Sequence, residues 1–290
     1  ILSPLILNGI CFLLRKFAII DRPHLYKAEQ GRSPAPYGAG ISILLTLILF
    51  LPVLYGFFDF SEILEKRLHI VLILGVILAV VSFIDDMDTI GKSRMSVPPL
   101  FRLAMQIGIG AIIGMTSIKI SYVSNLFGGV LNLTDYSLDI IIGNAMLTIY
   151  FIPIAITIFW YVLVFNSINF SDGIPGLTGG FSLISFVILA GLAVKLYFSD
   201  ATIATQENSA FLLTLLAIVI PATFFLTRKD ISRQALMGDS GTIMLAFLIA
   251  TFAIVAGGKI ATAISVLGIY LIDFVYVITV RIMKGINPLK

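Results

Sequence analysis

Long apolar runs alternate with short polar stretches along the whole chain, and each run is about the 20 residues that an α-helix needs to cross a bilayer. The runs fall near 1–18, 38–58, 68–84, 98–118, 146–165, 176–198, 208–226, 240–257 and 259–281. They predict nine transmembrane helices. Pro52, Pro153 and Pro221 lie inside runs, where a kink is tolerated when neighbours satisfy the freed carbonyls. The stretch 119–142, KISYVSNLFGGVLNLTDYSLDIII, instead alternates apolar and polar residues around Gly128 and Gly129, which predicts a β-hairpin. No internal repeat is visible. The expected fold is an all-α polytopic membrane protein with a small β-hairpin.

Composition narrows the class. With 59% apolar and 12% charged residues, soluble two-domain readings drop out. The first run has no cleavage-site pattern, so it reads as a span, not a signal peptide. Cys11, the single cysteine, excludes an intrachain disulfide and a cysteine metal cluster, and is expected to pack against lipid or helix. A net charge of +3 gives no reason to expect nucleic acid, but its distribution is informative. Nine spans place the loops at 15–37, 85–102, 166–175, 227–239 and 281–290 on one side. That side holds fourteen Lys and Arg, against five on the other. The positive-inside rule assigns the first side to the cytoplasm, with the N-terminus and the hairpin outside.

The unusual polar stretches then share the cytoplasmic face. Asp85, Asp86 and Asp88 follow the run at 68–84, at a helix C-terminus where the macrodipole disfavours acids. A cation resolves that conflict, and Lys92, Arg94 and Arg102 lie close behind; the plain alternative is a solvated loop balancing its own charges. The first loop, DRPHLYKAEQGRSPAPYGAG, is too broken by Pro and Gly for a helix and brings Lys27 and Arg32 near the membrane, with His24 expected as a solvated side chain. Asn166, Asn169 and Asp172 recur every three residues, a spacing that lines one helix face. Helix-end capping explains one of them readily and three less well. Gly173, Gly176, Gly179 and Gly180 follow, letting backbone approach a ligand or neighbouring helix. Asp239, in MGDSG at the start of the next run, fits an N-cap and a ligand equally well. Acidic and amide clusters beside arginines and lysines are the composition of a site where a divalent cation meets phosphates.

These residues resemble, along nearly the whole chain, the polyprenyl-phosphate N-acetylhexosamine-1-phosphate transferases, which include the muramoyl-pentapeptide phosphotransferase. DRP with Lys27 and QGRSPAPYGAG is similar to the family's first cytoplasmic loop. Asp85-Asp86 resembles its paired-aspartate motif, and FRLAMQ the basic continuation, with Arg102 where a lysine is usual. NSINFSDGIPGL resembles the asparagine-rich motif, and MGDSG the Gly-Asp motif. The resemblance implies transfer of a sugar 1-phosphate, with GlcNAc-1-phosphate favoured, from a UDP-N-acetylhexosamine to a polyprenyl phosphate, releasing UMP, on the cytoplasmic face of the plasma (inner) membrane. By the same match Asp239 and Asn169 are candidate Mg²⁺ ligands, with Mn²⁺ as a possible substitute. Arg102, Asn166, Asp172 and Lys27 are candidate substrate or phosphate contacts. Asp85 and Asp86 would orient or deprotonate the acceptor phosphate. A phosphate monoester, with a second pKa of about 6, is already mostly dianionic at neutral pH, which favours positioning over proton removal. A homodimer is a further expectation.

Two departures bear on this. Pro175 stands where many bacterial members have an aspartate facing the nucleotide base. The chain also stops at KGINPLK, about where the family's histidine-rich last cytoplasmic loop and final span would follow, so residues 1–290 are expected to form one transferase domain lacking that part. Phospho-MurNAc-pentapeptide transfer is the alternative within the class. Outside it, an ion-coupled secondary transporter would place acids near the bilayer midplane and show repeat symmetry. Here the acids sit at helix ends and no repeat is seen.

Overall fold

Every apolar run carries a helix in the computed structural model, which describes all residues except 1, 24–30, 94, 125–128, 143–144, 200–201, 258–259 and 286–290. The helices are α1 (Leu2–Lys16), α2 (Ile41–Phe57), α3 (Glu62–Thr89), α4 (Pro99–Gly114), α5 (Phe151–Phe170), α6 (Leu177–Tyr197), α7 (Ile203–Ile231), α8 (Gly238–Val255) and α9 (Ile260–Met283). Six of them, α3 and α5 to α9, are long and apolar enough to cross a membrane among the described residues. The other three, α1, α2 and α4, have 15, 17 and 16 residues.

α8 is the centre of the bundle. Sixteen of its 18 residues are buried, and α2, α3, α5, α6, α7 and α9 all pack against it; a helix apolar on every face requires such surroundings. The outer helices instead turn large apolar side chains outward, among them Phe12, Phe57, Leu100 and Phe159, a surface suited to lipid. Close crossings depend on missing side chains: a Cβ on Gly40 would lie 2.0 Å from the Gly241 Cα, so α2 and the start of α8 touch backbone to backbone. Tyr161 and Trp160 of α5 bond to Thr251 Oγ1 (2.7 Å) and the Ala250 carbonyl (3.0 Å) of α8.

Of the hairpin expected over 119–142, the structure shows β1 (Tyr122–Ser124) and β2 (Val130–Asn132), paired antiparallel, with residues 125–128 of the connection outside the described residues. A second antiparallel pair, β3 (Leu138–Ile142) with β4 (Ala145–Ile149), was not anticipated. Its β-branched residues favour a strand, and Thr148 Oγ1 donates across it to Asp139 (2.7 Å). β4 takes the residues assigned to the start of the 146–165 run, so α5 begins only at Phe151 and extends to Phe170. α7 likewise continues through Arg228, Lys229 and Asp230, residues the sequence assigned to a loop.

Candidate functional site

α3 delivers Asp85 and Asp86 in its last turns, and the two carboxylates have different partners. Asp86 is fully buried. Its Oδ1 accepts from the Asp239 backbone N–H (2.6 Å) and its Oδ2 from that of Ser240 (3.1 Å). The N-terminus of α8 is therefore capped by a carboxylate from another helix, while Met237 at its own N-cap position makes no side-chain cap. The dipole conflict at the end of α3 is relieved by the positive end of α8. Gly238, between them, has φ +71°, and a Cβ there would stand 2.7 Å from both Asp86 oxygens, so glycine is required twice over.

Asp85 is 5% exposed. One oxygen accepts from the Val97 N–H (3.1 Å) and the other pairs with Arg102 Nη2. The same nitrogen lies 3.6 Å from Asp239 Oδ2. Arg102 thus stands between two carboxylates, and its Nε is buried with no hydrogen-bond partner among the described residues. Asp239, freed from capping by Asp86, turns its carboxylate to this cation. Of the other cations considered for the aspartates, Lys92 bonds instead to the Phe17 carbonyl, and Arg94 lies outside the described residues.

Asn166 and Asn169 occupy the last turns of α5. Asn166 Nδ2 donates to Gln106 Oε1 of α4 (2.9 Å) and to the Val162 carbonyl (2.7 Å). Asn169 has no side-chain hydrogen bond among the described residues. Asp172 departs from the expected stripe, because α5 ends at Phe170 and Pro175 forbids helical continuation. Its carboxylate accepts from Thr242 of α8 (2.8 Å) and, at 3.4 Å, from Thr178 of α6. Although the residue is exposed at a cavity mouth, withdrawal of the carboxylate from water raises its pKa to about 7. The hydrogen bonds from Thr242 and Thr178 oppose that rise, and the neighbouring Asp239 and Asp230 add to it.

The cavity, of about 410 Å³, is lined by Asp172 and also by Asp21, Arg22, Tyr37, Asp230 and Arg233. Among the described residues, none of the other predicted site residues lines it. Lys27 lies outside the described residues, but the described ends of its loop are fastened. Asp21 pairs with Arg32 and accepts from the Ala35 N–H (2.7 Å), and Pro36 accepts from the Leu236 N–H (2.8 Å).

Asp230 was missed by the sequence reading. Its Oδ2 accepts from the Gly176 N–H (2.5 Å) and its Oδ1 from the Met237 N–H (3.1 Å), so one carboxylate holds the loops on both sides of the cavity. The place of Asp230 at a helix C-terminus, the same conflict that singled out Asp85 and Asp86, appears only because α7 runs on to Ile231, past the end of the apolar run at 226. Arg22 and Arg233 carried no comparable mark. Among the described residues no three His, Cys, Asp or Glu side chains gather as a metal cage. Of the two candidate metal ligands, Asp239 faces Arg102 at 3.6 Å, and the Asn169 amide makes no side-chain hydrogen bond among the described residues.

A model of glycosyl transferase family 4 matches residues 68–257 of the chain. Among curated relatives, a phospho-N-acetylmuramoyl-pentapeptide-transferase of Staphylococcus saprophyticus is 26% identical over 279 residues, covering 95% of this chain and 77% of the relative. An undecaprenyl-phosphate alpha-N-acetylglucosaminyl 1-phosphate transferase of Escherichia coli O157:H7 is 24% identical over 280 residues, 94% of this chain. A probable undecaprenyl-phosphate N-acetylglucosaminyl 1-phosphate transferase of Bacillus subtilis is 24% identical over 276 residues, 93% of this chain. The chain spans 66% of the length of each of the latter two.

Proposed function

The chain belongs to glycosyl transferase family 4, a family of transferase enzymes, and on that premise we propose that it transfers N-acetylglucosamine 1-phosphate from its UDP derivative to a polyprenyl phosphate. An acceptor phosphate oxygen attacks the β-phosphorus of the donor, the bond from that phosphorus to the UMP oxygen breaks, and UMP leaves. The proposal extends to nine membrane crossings, the N-terminus outside and the site on the cytoplasmic face of the inner (plasma) membrane. The fourteen-to-five asymmetry of Lys and Arg supports that sidedness.

The observation that carries the reading is Arg102, held by Asp85 and beside Asp239, with its Nε unpartnered among the described residues. Two anionic substrates need such a cation, fixed in place before they arrive, at the point where phosphate charge is redistributed. Asp85 orients the guanidinium, and Asp86 fixes the start of α8 and so the position of Asp239. Asn166, through Gln106, joins α5 to α4 near Arg102, and Asp172 stands at the neighbouring cavity as a substrate contact. Asp239 and Asn169 would hold Mg²⁺, or Mn²⁺ in its place. Such an ion takes one or two protein oxygens and completes its shell with phosphates and water, so its binding would not require a protein cage. When bound it would neutralise charge on the diphosphate.

A second reading, phospho-MurNAc-pentapeptide transfer, is favoured by the similarity to the Staphylococcus relative. Both are tested by incubating the purified protein with polyprenyl phosphate, Mg²⁺ and, in turn, UDP-GlcNAc, UDP-GalNAc and UDP-MurNAc-pentapeptide, measuring UMP and lipid product. UDP-GlcNAc should turn over fastest. Asp239→Asn should keep the wild-type Tm, since Asp86 does the capping, while losing about tenfold or more in rate, partly restored by raising Mg²⁺. Turnover of none of the three donors, or full activity in Asp239→Asn, would overturn the assignment.

A further inference from the structure

Away from the site, α1 and α7 enclose a cleft whose charges the transfer reaction does not use. Two adjoining hollows of about 320 and 310 Å³ share Asn8, Lys229 and Gln234; Arg228 and Ser232 line one, and Arg15 lines the other. None of the three cations is ion-paired among the described residues. Asp230, next to Lys229 in sequence, is turned away, with both oxygens occupied by backbone N–H groups.

Cations at helix ends ordinarily extend toward water. Lys229 reaches across to α1 and donates from Nζ to Asn8 Oδ1 at 2.5 Å, in a bond that stays open to solvent, two turns along α1 from Arg15. A positive charge is therefore drawn into a cleft between helices, at the level where α1 exposes Leu5, Phe12 and Leu13 and α7 exposes Phe224. The partner that satisfies both surfaces has a negative head and an apolar body. A small soluble anion would leave the apolar faces unused, and an uncharged lipid would leave the cations without a counter-charge.

We propose that the α1–α7 cleft is a headgroup site for an anionic bilayer phospholipid, with its phosphate among Arg15, Arg228 and Lys229 and its acyl chains along the exposed residues of α1. Basic pockets between membrane helices hold such headgroups by charge and by displacement of their counterions. The inference does not depend on the transfer reaction, and the site binds a resident lipid, not the acceptor.

Native mass spectrometry of the delipidated full chain, titrated with phosphatidylglycerol, phosphatidylcholine or polyprenyl phosphate, tests it. Phosphatidylglycerol should be retained on the order of tenfold better than phosphatidylcholine, and Arg15→Gln with Arg228→Gln should remove that preference. This pair leaves the Lys229–Asn8 bond in place. Arg15→Lys with Arg228→Lys should keep the preference, and together with the wild-type comparison decides the matter should the glutamine pair fail to fold. Equal retention of the two phospholipids, an unchanged preference in a folded glutamine pair, or displacement of phosphatidylglycerol by equimolar polyprenyl phosphate would each overturn the proposal.

Discussion

α3 carries charge at both ends, and the two ends use it differently. Near its start, Arg67 donates from Nε to Ser117 Oγ (2.9 Å), from Nη2 to the Ser117 carbonyl (2.9 Å) and from Nη1 to Asn208 Oδ1 (2.5 Å). All three acceptors are neutral and belong to the fold, so the guanidinium joins α3 to the chain after α4 and to α7. At the other end, Asp85 and Asp239 flank Arg102, whose Nε has no partner among the described residues and whose side chain is 32% exposed. The difference separates charge that closes a structure from charge that remains for a ligand: in the first, each guanidinium nitrogen has an acceptor; in the second, a buried nitrogen has none among the described residues. By this criterion Asp86 groups with Arg67, although it is the sequence neighbour of Asp85.

The most severe way to break the comparison is to treat Asp86 as a site residue and remove it. Asp86→Ala would leave the N–H groups of Asp239 and Ser240 buried and unpaired, at about 1–3 kcal/mol each, against a total stability on the order of 5–15 kcal/mol. A protein that is poorly folded in detergent, with a lowered Tm and little activity, is the expected result. Asp86→Asn, with one carbonyl oxygen for two donors, should fall between. A folded Asp86→Ala protein with wild-type Tm and reduced turnover would move Asp86 into the chemistry.

Arg102 sharpens the comparison from the other side. Arg102→Ala should lower turnover by about 10²–10³, the scale of losing one preorganised contact to developing charge. Arg102→Lys should retain part of the rate, because a point charge remains while the fork that Asp85 orients is lost. Initial rates at saturating donor and acceptor check this, and near-normal turnover in the alanine variant would remove Arg102 from the phosphates.

How much of this was legible in the sequence depends on the kind of interaction. Apolar runs located the helices because burial in lipid or in the bundle is a property of composition. The hairpin around Gly128 and Gly129 could be read from local alternation. β3 and β4 could not, since their apolar residues merge into the next run and only pairing distinguishes a strand from the start of a helix there. The conflict between three aspartates and a helix C-terminus pointed to a cation; for Asp85 the structure supplies one, Arg102. That Asp86 would be satisfied by α8, more than 150 residues away in sequence, depends on packing. The even choice between cap and ligand at Asp239 was therefore posed at the wrong residue: the cap exists, but Asp86 provides it. Asp230 was overlooked because the predicted span stopped at 226, which hid its place at a helix end.

The smallest effect concerns the closed end of α3. Arg67→Gln removes the charge and at least one of the three hydrogen bonds, but the side chain is partly exposed and water can replace what is lost, so the cost should be about 1 kcal/mol. That corresponds to a drop in Tm of a few degrees for a chain of this size. Nineteen residues of helix, about 28 Å at 1.5 Å per residue, separate Arg67 from Asp86, and no substrate contact is assigned to the Arg67 end. Turnover per folded molecule should therefore match the wild type, with KM and kcat both unchanged. Measuring Tm and initial rates on the same preparation distinguishes the two roles. A loss of turnover at unchanged Tm would show that the two ends of α3 are coupled through the helix, and that matched hydrogen bonds alone do not mark a charge as structural.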